Sequence, residues 1–418
     1  MPQELPPVWT MLPFGALVLA MALLPLVIPS WWQRPWVQAL LIAFAATPVI
    51  AHLAFNGRGA EVLHSASQYV TFIATLGALF VAAGGVYTTG DFEATPWTNT
   101  RFLLIGSLLA SVIGTTGASM LLIRPLLRTN SQRQHRAHIV PFFILAVANA
   151  GGLLTPLGDP PLLVGFVAGV PFFWTLRLLP VWVLYVGSAA LGLYLVDRRA
   201  HAREAGEDLA RDRIERSPLV VRGRRNIACL VAVIGAVFLP PMLREAALLG
   251  LAAASYFGTP RAVHQLNEFS LTPIIEVGVL FFGLFACLVP IEIGLAAIAP
   301  SLPIRQSWQL FWASGALSAI LDNAPTYAAF AALARGLGEG QPDLVAGIQP
   351  LALAAISAGT VVMGATTYIG NGPNLMVKAI AERSGYALPS FFRYAAFAVT
   401  MLIGPHLVMT LALVLLEP

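Results

Sequence analysis

The sequence predicts an all-α polytopic membrane protein with about ten transmembrane helices, arranged as two inverted repeats. Three observations lead to this fold class. Apolar runs of about 20 residues recur along the chain, and each could cross a bilayer core of ~30 Å. Two further apolar segments are interrupted at their centres by polar and helix-breaking residues. These interruptions then recur in the same order in the second half of the chain.

The uninterrupted apolar runs account for most of the expected spans. The chain is 57% hydrophobic and 11% charged over 418 residues, whereas roughly a quarter of the residues of a soluble domain are charged. No basic segment precedes the first run and Glu4 is the one charge before it, which is typical of a membrane span and not of a cleaved signal peptide. The clearest runs are 13–29, 35–53, 70–86, 175–196, 274–290 and 391–416.

Composition argues against several other classes of protein. One lysine, Lys378, accompanies 23 arginines, and no Gly-Lys pair exists, so the sequence has no P-loop for ATP. Energy for any pumping must come from an ion gradient or from a partner chain. The pI of about 9.3 reflects arginines in loops between spans, where the membrane explains them better than nucleic acid does. No nucleophile elbow, zinc motif or cofactor loop indicates an enzyme, and no cofactor is expected.

The distribution of arginine predicts the orientation in the membrane. Segment 197–225 holds nine arginines and six carboxylates, and we expect it to be a solvated linker on the cytoplasmic side. Segment 124–136 carries four arginines and should lie on the same side. Two crossings separate the segments, so the two expectations agree. The chain is therefore expected to be a multi-pass protein of the bacterial inner membrane.

The two interrupted segments, 98–127 and 307–335, predict re-entrant hairpins. The first break reads Gly-Thr-Thr-Gly from Gly114, and the second reads Asp-Asn-Ala-Pro-Thr from Asp322. Each flank has only about 12–15 residues, too few to cross a bilayer. Non-helical backbone survives at mid-membrane depth only where protein buries it or water reaches it. The hairpin tips are therefore candidate sites.

Each hairpin is followed by a span that is itself broken, at about 139–168 and about 343–380. Aligning Gly158 with Gly370 also superposes a glycine, a threonine and a proline of the two breaks. Matched elements lie about five crossings apart, and an odd number inverts the second copy. Paired breaks in inverted repeats indicate the binding site of a secondary transporter. The expected organisation is an N-terminal helix at 1–34, a first repeat at 35–196, the linker at 197–225 and a second repeat at 226–418.

The four breaks supply the candidate ligands. Unwinding a helix frees backbone carbonyls, which suit Na⁺, and N–H groups at half-helix N-termini, which suit anions. Hydroxyl and amide side chains at the breaks add further oxygen atoms. The candidate ion-binding or substrate-binding residues are Thr115, Thr116, Asn149, Thr155, Gly158, Asp159, Asp322, Asn323, Thr326, Thr366, Thr367, Gly370, Asn371 and Asn374.

Asp159 and Asp322 are the acidic members of this set and the expected Na⁺ ligands. A carboxylate at the bilayer centre costs about 2.5–3.5 kcal/mol, so it is retained mostly where it has a function. Burial favours the protonated form and a bound cation favours the ionised form, so one carboxylate can exchange H⁺ for Na⁺. Capping of a half-helix by each carboxylate is the alternative and is compatible with ion binding. Glu276 is either a further proton site or an interfacial residue.

These breaks resemble those of a known family. The Asn-Ala-Gly-Gly…Ser/Thr-Pro-Ile-Gly-Asp signature of NhaD-type sodium/proton antiporters resembles the run from Asn149 to Asp159. The Asp-Asn-x-Pro hairpin tip of the same group is similar to residues 322–325. The wider ion transporter superfamily includes arsenite, citrate and dicarboxylate carriers. Residues 368–374 are more similar to the Ile-Gly-x-x-x-Asn segment of the arsenite and carboxylate branches, which include the CitMHS-like citrate transporters.

The resemblance carries its own expectations. It implies a homodimer in which each protomer has a scaffold and a moving transport domain. The transport domain would contain the two hairpins and the two broken helices, and transport would proceed by elevator-type alternating access.

Two transport functions and one function of another class follow from the sequence. Sodium/proton antiport is favoured, because two acidic residues at the breaks suit cations. Na⁺- or H⁺-coupled uptake of citrate or a dicarboxylate is the alternative, with Asn371, Asn374 and the threonines holding the carboxylates. A non-transporting membrane scaffold is the third. Expected partners are the lipid bilayer, a second copy of the chain, and a small inorganic cation or small carboxylate, with no nucleic acid and no ATP.

Overall fold

The computed structural model describes residues 5–32, 34–214, 218 and 220–417. Residues 1–4 and 33 of the expected N-terminal helix, residues 215–217 and 219 of the expected linker, and residue 418 lie outside the described residues. The described part of the chain is almost entirely helical, with one two-stranded sheet. The expectation of a helical membrane protein is confirmed.

The first half of the chain has three membrane helices followed by a hairpin, a broken helix and a further long helix. Several helices have proline at their first or second position, where the missing N–H costs no hydrogen bond. The elements are α1 (Leu12–Val27), α2 (Pro29–Trp32), α3 (Pro35–Phe55), α4 (Gly59–Gly84), β1 (Tyr87–Thr89), α5 (Pro96–Ile113), α6 (Thr115–Thr129), α7 (Ile139–Ala146), α8 (Pro160–Val167) and α9 (Leu179–His201), with 3₁₀ turns at Val8–Thr10, Ala150–Leu154 and Phe172–Leu178.

The second half presents a similar order of elements. Three longer helices again precede a hairpin, a broken helix and a final long helix. The elements are α10 (Gly206–Ile214), β2 (Val220–Arg222), α11 (Arg224–Ala236), α12 (Leu243–Gly258), α13 (Arg261–Leu266), α14 (Thr272–Ile298), α15 (Ser307–Ser318), α16 (Asn323–Gly338), α17 (Pro350–Met363), α18 (Gly372–Arg383) and α19 (Phe391–Leu416), with 3₁₀ turns at Ala299–Ser301 and Gly364–Thr366.

The described residues contain fewer long helices than the ten crossings that the sequence predicts. In the described ranges, six helices are long and apolar enough to cross a membrane. Helices α11 and α12 have 13 and 16 residues, and each broken helix is divided into shorter pieces. The six long helices are Val8–Pro25, Pro35–Phe55, Gly59–Gly84, Phe172–His201, Thr272–Ser301 and Phe391–Leu416.

Helices α5 and α6 form the first hairpin. At its base, Asn99 and Asn130 exchange side-chain hydrogen bonds of 2.9 and 2.7 Å, so both ends of the hairpin lie together. At its tip the chain reverses at Gly114, whose φ of 85° is readily adopted only by glycine. The backbone N–H of Thr115 then donates to the carbonyl oxygen of Gly158 at 2.7 Å. The tip therefore contacts the break between α7 and α8.

Helices α15 and α16 form the second hairpin. A carboxylate holds its base, as it does at the base of the first hairpin. The N–H of Ser307 donates to the carboxylate of Glu417, at the end of α19, at 3.0 Å. In the first hairpin, the Asn99 amide donates to the carboxylate of Asp197, near the end of α9, at 2.8 Å. In each half, a carboxylate from the last helix holds the start of the hairpin.

The two broken helices have matching contacts at their breaks. The Thr155 hydroxyl donates to the backbone carbonyl of Ser111 in the first hairpin and accepts a bond from the N–H two residues later. The Thr367 hydroxyl donates to the carbonyl of Ala319 in the second hairpin at 2.6 Å and likewise accepts from the N–H two residues later. The same bond thus joins hairpin to break in both halves.

Glycine is required at matching positions of the two breaks. A Cβ added at Gly158 would overlap the carbonyl oxygen of Gly152, and a Cβ added at Gly370 would overlap that of Gly364. The two members of each pair are six residues apart in the sequence. These matched close approaches support the internal repeat that the sequence predicts.

Helices α4 and α14 pack against each other and support both hairpins. The rings of Phe72 and Phe281 stack with centroids 4.7 Å apart. The Ser65 hydroxyl donates to the carbonyl of Phe285 at 2.6 Å, which joins the same two helices. Helix α4 also contacts α6, and α14 contacts α16 as well as α1 and α3.

Most described residues of the charged segment 197–225 are exposed, but some of its carboxylates are buried. The side chains of Asp197 and Glu204 are inaccessible to solvent, and Arg133 lies 2.6 Å from Asp197 and 3.4 Å from Glu204. Burial would raise the pKa of the Glu204 carboxyl, but backbone N–H donors of Gln134 and His135 and the charge of Arg133 lower that pKa below its ordinary value. Charge pairs that are distant in sequence therefore fold this segment onto the base of the first hairpin.

Candidate functional site

Asp159 lies at the first break, immediately before α8, and is only 1% exposed. Its carboxylate accepts three side-chain hydrogen bonds. The Thr115 hydroxyl donates to Oδ1 at 2.8 Å, the Asn371 amide donates to Oδ1 at 3.2 Å, and the Asn323 amide donates to Oδ2 at 2.6 Å. The donors come from the first hairpin, the second broken helix and the second hairpin. One buried carboxylate therefore joins all four interrupted elements.

These four residues form two pairs under the sequence alignment of the two halves. Superposing the glycines of the two breaks places Asp159 over Asn371, because each follows the aligned glycine directly. Superposing the two hairpins places Thr115 over Asn323, because each begins the second helix of its hairpin. The two halves of the chain therefore meet at Asp159, each contributing one residue from its hairpin and one from its break.

Four helices begin at this point. Helix α6 begins at Thr115, α16 at Asn323, α8 at Pro160 and α18 at Gly372. The N-terminus of each helix carries a partial positive charge, which stabilises negative charge nearby. In the ion pairs of the described residues, no arginine, lysine or histidine side chain binds Asp159 or Asp322. Neutral donors and helix ends are therefore what surround the buried carboxylate.

Asp322 precedes α16 and caps it. Its side chain accepts a hydrogen bond from the N–H of Ala324 at 3.1 Å. The residue is half-buried, and the next residue, Asn323, is a direct donor to Asp159. The second acidic candidate thus lies one residue from the contact with the first.

Three of the candidate asparagines hold the two broken helices together. The Asn149 amide donates to the side-chain oxygen of Asn374 at 2.7 Å. The Asn371 amide lies 3.2 Å from the side-chain oxygen of Asn149 and 3.2 Å from Asp159. The Asn374 amide donates to two backbone carbonyls of its own break. Asn149 and Asn374 therefore use their amide groups to position the breaks, whereas Asn371 also reaches the carboxylate.

The remaining candidates divide by what their side chains contact. The hydroxyls of Thr155 and Thr367 bind hairpin backbone, and Thr326 donates to the carbonyl of Asp322 at 2.9 Å. Thr116 lines a cavity at the first tip, and Thr366 is half-buried at the second break. Gly158 and Gly370 allow the close backbone approaches described above.

A cavity of about 80 Å³ adjoins Asp159. Its walls come from the first hairpin tip, the first break, α4 and the first turns of α14, and no basic side chain is among its lining residues. The volume suits a small ion with a few waters, since each water in the liquid takes about 30 Å³. Pockets for larger organic ligands typically measure about 300–1,000 Å³. The polar members of the wall are Thr115, Thr116 and Asp159.

Asn323 has an amide oxygen without a hydrogen-bond partner, although the residue is fully buried. Its nitrogen faces Asp159 and donates to it, so the oxygen is the atom left over. Buried polar atoms are almost always paired. An unpaired oxygen next to a carboxylate therefore indicates a place for a cation or for a hydrogen-bond donor.

Two serines at the hairpins were missed by the sequence interpretation. The Ser111 hydroxyl donates to the carbonyl of Gly151, and the Ser318 hydroxyl donates to the carbonyl of Thr360 at 2.6 Å. Each ties a hairpin to its broken helix. The sequence pattern that could have identified them is a serine three or four residues before each hairpin tip. Glu276, by contrast, is half-buried in the second turn of α14 and does not line the cavity.

The sequence matches a protein family described as "Putative citrate transport" over residues 3–415. The chain belongs to this citrate-transport family. The match includes both hairpins and both broken helices. It confirms the resemblance to the CitMHS-like branch of the ion transporter superfamily. A comparison with curated proteins gave no significant match. The family and the six apolar helices identify this citrate-transport family member as a multi-pass membrane transporter.

Proposed function

We propose that the protein is a secondary active transporter that exchanges Na⁺ for H⁺ at Asp159. The observation that supports this function is the environment of the Asp159 carboxylate. It is buried, it is held by three neutral donors, and it lies beside the unpaired oxygen of Asn323. Such a carboxylate can bind a proton or a metal cation but not both at once, and exchange requires that competition.

The donors around Asp159 would change partners when Na⁺ replaces H⁺. The carboxylate, the Asn323 side-chain oxygen and the Thr115 hydroxyl are the oxygens best placed to bind the cation. Na⁺ in transporters is held by such oxygens at interrupted helices. Asp322 is the second acidic residue at the site, and its contact to the Ala324 N–H would weaken if it turned toward the ion.

The membrane arrangement that we propose has ten crossings and two re-entrant hairpins. Four crossings beyond the six long helices would be α11, α12 and the two broken helices. The repeats at 35–196 and 226–418 would be inverted, because five crossings separate the hairpins. Segment 197–225 would lie in the cytoplasm of a bacterial cell. Hairpins and broken helices would move as one transport domain within a homodimer.

Proteoliposomes provide the test of this function. With a pH gradient imposed across the membrane, added Na⁺ or Li⁺ is expected to discharge the gradient. Asp159→Asn is expected to reduce the discharge to that of protein-free liposomes, because an amide binds neither a proton nor Na⁺ with comparable strength. Discharge is followed with a pH-sensitive dye at several Na⁺ concentrations.

A matched control is Glu339→Gln, which removes an exposed carboxylate just after α16. It is expected to exchange ions at the wild-type rate. Full Na⁺-dependent discharge in folded Asp159→Asn would remove Asp159 from the mechanism and with it the proposed function.

Coupled uptake of citrate or a dicarboxylate is the second candidate. The description of the family favours it, and so do the four helix N-termini that meet at the site, because helix N-termini bind carboxylates. Saturable uptake of labelled citrate driven by Na⁺ or H⁺, together with no discharge of the pH gradient in the absence of citrate, would support it over antiport.

A further inference from the structure

An ion pair joins the second hairpin to α14 about four turns from the hairpin tip. Arg335, near the end of α16, lies 2.8 Å from the carboxylate of Glu292. The two side chains are 27% and 35% exposed, respectively. Arg335 also donates through Nε to the carbonyl of Ala346 at 3.2 Å. The arginine therefore bridges α14 and the chain that precedes α17.

The backbone around this pair is closely packed. A Cβ added at Gly336 would overlap the carbonyl oxygen of Ala296, so α16 and α14 touch through their backbones. Ala346, which accepts the second bond of Arg335, has a φ of 49°. Left-handed backbone is uncommon for a residue other than glycine and marks a position that its surroundings constrain. The second hairpin is thus fixed firmly against α14 at this end.

The opposite end of α14 differs in both packing and charge. There the cavity beside Asp159 separates the first hairpin tip from the first turns of α14. Glu268, just before that helix, lies 3.4 Å from Arg124 and 3.5 Å from Arg383 and is 65% exposed. The cavity beside Asp159, of about 80 Å³, therefore lies toward the end with exposed, longer ion pairs, whereas the cavity that Glu292 and Arg335 line measures only about 10 Å³.

We propose that the Glu292–Arg335 pair is a latch that holds the second hairpin against α14 and opens during each transport cycle. The inference rests on the proposed function, because alternating access requires the site to open on each side in turn. Twelve residues of one helix separate Asn323 from Arg335, or about 18 Å at 1.5 Å per residue. Release of the latch frees the helix whose first residue donates to Asp159.

Cross-linking tests whether the pair separates. With Cys229 and Cys287 replaced by alanine, Glu292→Cys and Arg335→Cys are combined and joined with a short bifunctional thiol reagent. Ion exchange is expected to fall at least tenfold and to return when the link is reduced. Each single-cysteine variant treated with the same reagent is the control. An unchanged rate in the fully cross-linked protein overturns the latch.

A second measurement needs no ion transport. Thr116→Cys, in the cysteine-free protein, lines the cavity and is labelled with an impermeant thiol reagent from the side of the membrane nearer Glu292. Adding Glu292→Gln is expected to speed this labelling about two- to fivefold, the range expected for a partly exposed ion pair. The charge exchange Glu292→Arg with Arg335→Glu is expected to restore slow labelling.

The control for this measurement is Glu268→Gln, which removes the exposed pairs at the other end of α14 and is expected to leave labelling unchanged. Equal labelling with and without Glu292→Gln overturns the latch. If labelling changes as expected but no Na⁺-dependent proton exchange occurs in any variant, the antiport proposal fails and the latch stands.

Discussion

The two halves of the chain place a similar order of elements around the site but supply it with different side chains. In the first half, the paired positions hold Thr115 and Asp159. In the second, they hold Asn323 and Asn371. Both breaks use the same threonine bond to their hairpin and the same close glycine approach. The comparison teaches that matching contacts between hairpin and break hold both halves at the site, while only one of the four paired positions carries a carboxylate.

The hairpin tips differ in the same way. The first tip reverses at Gly114 with a positive φ and contributes a neutral hydroxyl. The second tip reverses at residues 319–322 and carries Asp322, which caps the following helix. A second carboxylate is therefore available from the tip and not from the break, so the two halves are not interchangeable in chemistry.

Exchanging the two central residues is the strongest test of this comparison. Asp159→Asn with Asn371→Asp moves the carboxylate to its repeat-related position, where it remains within hydrogen-bond distance of its former site. We expect Na⁺-dependent discharge to return at about a tenth of the wild-type rate, corresponding to about 1.4 kcal/mol of barrier. The measurement is made in proteoliposomes beside Asp159→Asn alone.

The second single variant, Asn371→Asp, is the control for that exchange. It places two carboxylates side by side and is expected to slow exchange, because like charges disfavour each other's ionisation. A double variant that folds normally and yet shows no more discharge than Asp159→Asn would mean that the two positions are not equivalent.

Gly114→Ala tests whether the first tip depends on its special backbone. A side chain at this φ costs about 1–3 kcal/mol, and the new Cβ would lie 3.3 Å from the carbonyl oxygen of Leu157. We expect ion exchange to fall about tenfold by the same scale and the melting temperature in detergent to fall as well. Gly187→Ala, whose Cβ would meet no atom within 4 Å, should leave both unchanged. Equal behaviour of the two variants would contradict the strained tip.

Substitutions at the bases of the two hairpins should give the smallest changes, and these are expected in the melting temperature. The first base is buried against Asp197, Arg133 and Glu204, whereas the second is held by Glu417. Glu204→Gln is expected to lower the melting temperature by a few degrees, and Glu417→Gln by less. Because the pKa of Glu204 is lowered in the folded protein, its stabilisation is complete above the ordinary glutamate pKa of about 4.3 and is lost as the pH falls below that value.

Melting curves between neutral pH and about pH 4 check this expectation, since the ordinary glutamate pKa lies near the lower limit. The difference in melting temperature between wild type and Glu204→Gln should become smaller as the pH approaches 4. A difference that is constant with pH would show that the Glu204 charge contributes nothing to the base.

Local pattern explains which features could be predicted from the sequence. The breaks are visible because polar, glycine and proline residues interrupt otherwise apolar segments, and Asp159 and Asp322 stand out as the carboxylates at those breaks, where burial of a charge is costly. Which candidates bind each other was not visible. The bond from Asn149 to Asn374 spans 225 residues, and no local signal reports it. The burial of the Asp197 and Glu204 side chains depends on Arg133, which lies in the loop after α6, so the charge of the segment alone could not predict it.

The contact between Gly165 and Tyr327 has a practical consequence for producing the molecule in parts. Tyr327 of α16 lies so close to Gly165 of α8 that a Cβ at the glycine would overlap the tyrosine hydroxyl, and the ring would have to move. Helix α8 of the amino-terminal half therefore packs directly against α16 of the carboxy-terminal half. If the chain were cut between these two residues and the fragments were made separately, each fragment would lack one side of this contact. Only co-expression, in which the fragments fold around each other, should restore a working molecule.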